Sequence, residues 1–162
     1  MKYEALLRKV YSTPHLVGVL KVLDFLCSAL VVIAFLLGAH VAFFVSVRLG
    51  VGYMLTCGIP FVLVSVVRRL VAAPRPYELL SFSEKKPRGR GCDSFPSRHA
   101  FSAFVIGGTL CYFGHLLGLV TLFFALVISA CRILLGIHFL RDILSGATIG
   151  IVSALIGILV FL

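Results

Sequence analysis

The chain reads as long apolar runs separated by short polar links, with one polar stretch near its middle. Apolar residues dominate 15–38 and 41–70, and beyond the polar stretch they return at 98–112, 116–135 and 141–161. Crossing roughly 30 Å of hydrocarbon takes about 20 helical residues at about 1.5 Å each. The pattern therefore predicts an all-α, polytopic membrane bundle of about five transmembrane helices. Ser12-Thr13-Pro14 has the composition of a helix start. The second run contains Arg48, Gly50, Gly52 and the Gly58-Ile59-Pro60 step, which can bend a helix without ending it. It is too short for two crossings and is expected to be one long or bent span. Residues 72–97 hold Pro74, Pro76, Pro87, Gly89, Gly91 and Pro96 with the basic run Lys85-Lys86-Pro87-Arg88-Gly89-Arg90, and read as a loop. Internal repeats are not apparent, and residues 1–162 suit a single transmembrane domain.

Composition sharpens this picture. Of 162 residues 60% are hydrophobic and 13% charged, and a mean hydropathy of +1.12 excludes an ordinary soluble domain. The formal charge of +9, from 15 Lys+Arg against 6 Asp+Glu, points to anionic headgroups or a phosphorylated substrate as partners. It argues against nucleic acid, because the charges sit in short links rather than in a basic, aromatic-interleaved module. The cysteines at 27, 57, 92, 111 and 131 have no metal-ligand spacing and read as small buried hydrophobes. Neither a metal nor a cofactor is expected. No small-residue cleavage site follows the basic start with Lys2, Arg8 and Lys9, so the first span is expected to be retained. Tyr3, Tyr11, Tyr53, Tyr77 and Tyr112 are candidate interfacial anchors. Lys21 and Asp24 could pair at i,i+3, either snorkelling at the interface or forming an intramembrane polar site.

Placed on five spans, the unusual ionisable residues converge on one side. Arg68 and Arg75 flank the exit of the second span, Ser97, Arg98 and His99 open the third, Arg132 closes the fourth, and His138, Arg141 and Asp142 begin the fifth. Charges at membrane depth cost about 2.5 to 3.5 kcal/mol each on insertion scales, so a cluster of them requires partners or a function. Arg68, Arg75 and Arg132 can offer planar forks to phosphoryl oxygens. Pro96-Ser97-Arg98-His99 resembles a helix start, where free N–H groups favour an anion. His138 and Asp142 at i,i+4 let the carboxylate accept a proton from one ring nitrogen while the other attacks phosphorus. His99, from another helix, could protonate the leaving oxygen and later activate water.

These residues resemble the type 2 phosphatidic acid phosphatase (PAP2) superfamily, whose signature is Lys-x6-Arg-Pro, Pro-Ser-Gly-His and Ser-Arg-x5-His-x3-Asp. The chain has Arg68-x6-Arg75-Pro76, Pro96-Ser97-Arg98-His99 and Cys131-Arg132-x5-His138-x3-Asp142, in the same order and spacing. Three positions depart: Arg68 keeps the charge of lysine, Cys131 keeps the size of serine, and Arg98 replaces a glycine. Arg98 adds a fourth cation that could address a second phosphate, a headgroup or solvent. The resemblance implies a membrane lipid phosphatase with His138 as a phosphohistidine nucleophile, Asp142 orienting it, and His99 as acid/base. Arg68, Arg75, Ser97 and Arg132 would bind the phosphoryl group without metal. It also implies a core of six spans, one more than the pattern gives. Candidate substrates are polyprenyl (di)phosphates, phosphatidylglycerophosphate and phosphatidic acid. A vanadate-dependent haloperoxidase, the alternative within the same fold, uses a similar pocket to hold vanadate but is typically soluble and much larger. A non-catalytic phosphate binder or transporter would need the arginines but not a positioned nucleophile.

With five spans the N-terminus and the site share a side, which also carries Lys2, Arg8, Lys9, Lys85, Lys86, Arg88 and Arg90. The positive-inside rule then favours a site on the cytoplasmic face of the cell membrane, whereas many bacterial relatives act on the outer face. A cytoplasmic site would favour a lipid of that leaflet over a recycled diphosphate carrier.

Overall fold

The computed structural model describes residues 2–80 and 93–162, and in these all regular structure is helical. An amphipathic helix α1 (Lys2–Tyr11) precedes two long helices, α2 (Pro14–Val45) and α3 (Val47–Val71). A short α4 (Pro76–Leu79) follows, then α5 (Arg98–Phe113), α6 (His115–Leu134) and α7 (Leu140–Phe161). The stretches Pro14–Val45, Val47–Leu79, His115–Leu134 and Leu140–Phe161 are long and apolar enough to cross a membrane. Their outward faces carry side chains such as Phe25, Phe44, Leu116 and Leu159 in the open, the reverse of a soluble protein and the expected surface for lipid. The protein is a multi-pass membrane helical bundle.

The remaining long helix, α5, has 16 residues and would cover only about 24 Å. Its position explains the shortness. It lies at the centre, packed against α6 and α7 and touched by α2 and α3. Ala100, Phe101, Ala103, Val105 and Leu110 are essentially sealed from the surroundings. A helix shielded by its neighbours need not match the hydrocarbon thickness.

Several boundaries differ from the apolar pattern. The first span does not stop at Gly38 but continues to Val45, because Gly38 lets α2 lie directly against Leu110 and the ring of Tyr53. The break comes at Ser46, whose hydroxyl accepts the Leu49 N–H at 3.2 Å and caps α3. The helix then runs through Pro60 without interruption, since a proline removes one backbone hydrogen bond but need not end a membrane helix. Tyr53 is no interfacial anchor. It is fully buried, its ring stacks on Phe35 at 5.5 Å between centroids, and its hydroxyl donates to the Phe35 carbonyl at 3.3 Å. Tyr77 is also buried, against Leu7.

Two helices were not foreseen. α4 begins within the proline-rich loop, where the Arg75 N–H donates to the Glu78 carboxylate at 2.9 Å. α1 buries Leu7 and Val10 and leaves Lys2, Arg8 and Lys9 exposed. Cys27, Cys57 and Cys131 are buried as small apolar groups, and Cys111 is half-buried. The basic run 85–90 and Cys92 lie outside the described residues.

Candidate active site

Two turns at one end of the bundle carry the polar chemistry. The first leads from α6 into α7. Gly136 has φ 64°, a left-handed conformation that a side chain would oppose. This bend lets the Ile137 and His138 N–H groups fold back onto the Arg132 carbonyl at 3.0 and 3.3 Å. The second turn, 93–97, leads into α5, where the Ser97 hydroxyl accepts the Ala100 N–H at 3.4 Å and caps the helix. Gly146 bears directly on the Ser97 carbonyl and the Phe101 backbone nitrogen, so α7 approaches α5 without a side chain between them. The Ser97 N–H donates to the Asp142 carbonyl at 2.9 Å and joins the two turns.

The nucleophile candidate sits where they meet. His138 is 2% exposed and Asp142 fully buried. The direct hydrogen bond expected from their i,i+4 spacing does not form, because Nδ1 of His138 is 3.7 Å from Oδ2 of Asp142. Ser94 bridges them instead: its hydroxyl donates to Asp142 Oδ2 at 2.5 Å and lies 3.1 Å from His138 Nδ1. Asp142 Oδ2 also accepts the Phe139 N–H at 3.0 Å. Proton counting assigns the tautomer. Ser94 has one hydroxyl hydrogen and gives it to the carboxylate, so its oxygen accepts from Nδ1–H of His138. The lone pair is left on Nε2. Burial pushes the His138 pKa down, and the charges of Arg75 and Arg132 add to this against the opposing pull of Asp142. The lowered pKa favours the neutral ring, with its lone pair on Nε2.

Cations surround it. Arg132 is buried and holds Asp24 of α2 through two parallel bonds, Nε to Oδ1 and Nη2 to Oδ2, each 3.0 Å. Asp24 thus faces Arg132 rather than Lys21, which overturns the expected i,i+3 pair. Arg68, also buried, directs its guanidinium at the carbonyls of Asp93, Ser94 and Pro96, clamping the turn before α5. Arg75 meets Asp93 Oδ1 through Nη2 at 2.6 Å and Nε at 3.2 Å. Burial raises the Asp93 carboxyl, but the hydrogen bond and charge of Arg75, with Arg68 behind it, outweigh this and hold it below its ordinary value. A carboxylate is thus already seated on the forks expected to take a phosphate.

His99 and Arg98 line one end of a cavity of about 400 Å³ whose other walls include Val31, Val32, Phe61, Ala103 and Ile106. The charges of Arg132, Arg98 and Arg68, and the ring of His138, all act on His99. The structure brings Arg132, His138 and Asp142 together with Arg68, Arg75 and Ser97, while His99, exposed on the first turn of α5, lines the adjoining cavity. Arg98, which is exposed, lines the same cavity.

Sequence reasoning missed Ser94, Asp93 and Tyr3, and paired Asp24 wrongly. Tyr3 of α1 donates its hydroxyl to the Ile133 carbonyl at 2.7 Å, with the His138 carbonyl at 3.2 Å. Tyr11 reaches the Leu135 carbonyl at 3.1 Å. Burial, with Asp142 and Tyr11 nearby, pushes the Tyr3 phenol up to about 12, so it stays a neutral donor. α1 and the site consequently occupy the same end of the bundle.

Comparisons with known proteins bear on the fold and the family. No curated protein sequence matches the chain. A transmembrane PAP2-type phosphatidylglycerolphosphate phosphatase from Bacillus subtilis has a similar fold, with a TM-score of 0.73 at 19% identity over 96% of this chain and 82% of that one. The model of the PAP2 superfamily matches residues 47–162, which contain all three motifs and α3 to α7. The chain belongs to the PAP2 superfamily.

Proposed function

We propose that the protein is a lipid phosphatase that removes a phosphomonoester or terminal diphosphate group through a phosphohistidine at His138, without a metal. The observation that carries this reading is the Ser94 bridge, which leaves Nε2 of a buried, neutral His138 as the free lone pair. Nε2 attacks phosphorus as the bond to the leaving oxygen breaks, and His99 gives that oxygen its proton. The Nδ1 proton stays on His138, and Asp142 stabilises the resulting cation through Ser94. Water then attacks phosphorus, His99 takes a proton from it, and the N–P bond breaks to release inorganic phosphate. Arg75, Arg132 and the Ser97 end of α5 would bear the developing charge on the phosphoryl oxygens, with Arg68 holding the turn that presents Ser97. The substrate's phosphate must displace Asp93 from Arg75.

The cavity beside His99 supports a substrate with an apolar tail, because all its walls except Arg98, His99 and two serines are apolar. Phosphatidylglycerophosphate, phosphatidic acid and polyprenyl (di)phosphates all fit that description. Charge bias favours a site on the cytoplasmic face of the cell membrane. The test is phosphate release in detergent with EDTA present, from these lipids in parallel, beside His138→Ala. Turnover that persists in EDTA and disappears in the variant supports the reading; no release from any lipid would favour a non-catalytic phosphate binder.

A further inference from the structure

We infer that Asp24 is a positioning residue for phosphoryl transfer: it fixes the Arg132 guanidinium so that its remaining edge faces the transferred phosphate. The inference rests on the phosphatase reading above, and it adds a residue of α2, which lies before the part of the chain that the family model covers.

The geometry is that of a planar fork. A guanidinium presents two usable edges, and Asp24 occupies the one formed by Nε and Nη2 with two bonds of 3.0 Å. Among the described residues Nη1 has no protein partner, nor is it a sealed orphan. With one edge locked, the plane of the guanidinium and the direction of Nη1 are set before substrate arrives. The Arg132 carbonyl accepts the His138 N–H at 3.3 Å, so Arg132 and the nucleophile are neighbours in one turn, and the charge of Arg132 acts on both His99 and His138. Neighbouring packing holds Asp24 in place. Leu20, one turn earlier on α2, joins Cys131 and Leu135 in an apolar cluster beneath the pair.

Neutralising a buried arginine could be the whole purpose of a carboxylate here. Two features go beyond neutralisation. The contact is bidentate, which sets orientation as well as charge. It also connects a helix outside the motif region to a phosphate ligand, and such support is what holds a catalytic group to within about 0.5 Å of its productive geometry.

The experiment compares wild type, Asp24→Asn, Asp24→Glu, Arg132→Lys and the Asp24→Asn/Arg132→Lys double variant. Each is tested for lipid phosphatase kinetics, inhibition by orthovanadate, and thermal unfolding in detergent. Misalignment of an oriented group by about 1 Å can cost about 100-fold. Asp24→Asn is therefore expected to lower kcat/KM by about 10- to 100-fold, mainly through kcat, and to raise the vanadate inhibition constant similarly. Asp24→Glu is expected to recover part of the loss. Because lysine has no fork to orient, adding Asp24→Asn to Arg132→Lys is expected to cost little more. A lowered melting temperature with unchanged kcat/KM and vanadate inhibition would overturn the inference and leave Asp24 a structural counter-ion. Equal losses in both backgrounds would also overturn it. If wild type releases no phosphate, the functional reading fails, and calorimetric titration of orthovanadate into wild type and Asp24→Asn still decides the positioning role: equal affinities reject it.

Discussion

The Ser94 bridge gives the sharpest prediction. Ser94→Ala removes the hydroxyl that donates to Asp142 Oδ2 at 2.5 Å and accepts from His138 Nδ1 at 3.1 Å. The carboxylate keeps the Phe139 N–H at 3.0 Å, so it is not stripped of partners. Nδ1 loses its acceptor, and the nearest replacement is Asp142 Oδ2, 3.7 Å away. A hydrogen bond to a charged group contributes about 1.5 to 3 kcal/mol. At about 1.36 kcal/mol per decade of rate, losing it in the transition state predicts a fall in kcat/KM of about 10- to 100-fold. Asp142→Asn should cost more, because it removes the charge that stabilises the imidazolium as well as the bridge. The assay is phosphate release from a lipid substrate in detergent, with His138→Ala as the zero and a melting curve to verify folding. A folded Ser94→Ala protein with wild-type kcat/KM would refute the relay. Loss as complete as that of His138→Ala would show that the direct contact contributes nothing.

The pH profile tests the state of His138. Its folded pKa lies below the ordinary value near 6.5, from burial first and then from Arg75 and Arg132. Attack needs the neutral ring, so in single-turnover phosphorylation the acidic limb that reports His138 should appear only as pH falls through the lowered pKa, any alkaline limb belonging to the proton donor His99; an acidic limb above about 6.5 would contradict it. Asp93→Asn removes the carboxylate seated on Arg75 and should tighten orthovanadate inhibition several-fold at low salt, and weaker inhibition would mean that Asp93 organises the forks instead of competing for them. Gly136→Ala forces a side chain into φ 64°, at a cost of roughly 1 to 2 kcal/mol, and should lower the melting temperature and reduce turnover together, since His138 lies two residues on. Unchanged melting would show that the turn relaxes freely.

The bilayer explains why so much is legible in the sequence. In hydrocarbon each span must satisfy its own backbone, so apolar length alone locates helices. The runs at 15–38, 116–135 and 141–161 accordingly correspond to α2, α6 and α7. The motif residues were legible for a related reason: charge at membrane depth is costly, and Arg68, Arg132, His138 and Asp142 stand out against their surroundings. α1 was less visible, because its Leu7 and Val10 become a buried face only against Tyr77 and against Leu20, Cys131 and Leu135.

The sequence by itself determined the medium, the helical class, the order of the spans and the candidate site residues at motif spacing, since each depends on local composition or on a fixed offset along the chain. Only the tertiary structure decided which groups touch. It put Ser94 between His138 and Asp142, moved Asp24 from Lys21 to Arg132 across 108 positions of sequence, seated Asp93 on Arg75, and buried Tyr53 in the core. Those contacts join turns and helices that are apart in the chain; the Ser94 bridge lies where α7 comes against α5 at Gly146, an approach that spacing along the sequence does not encode.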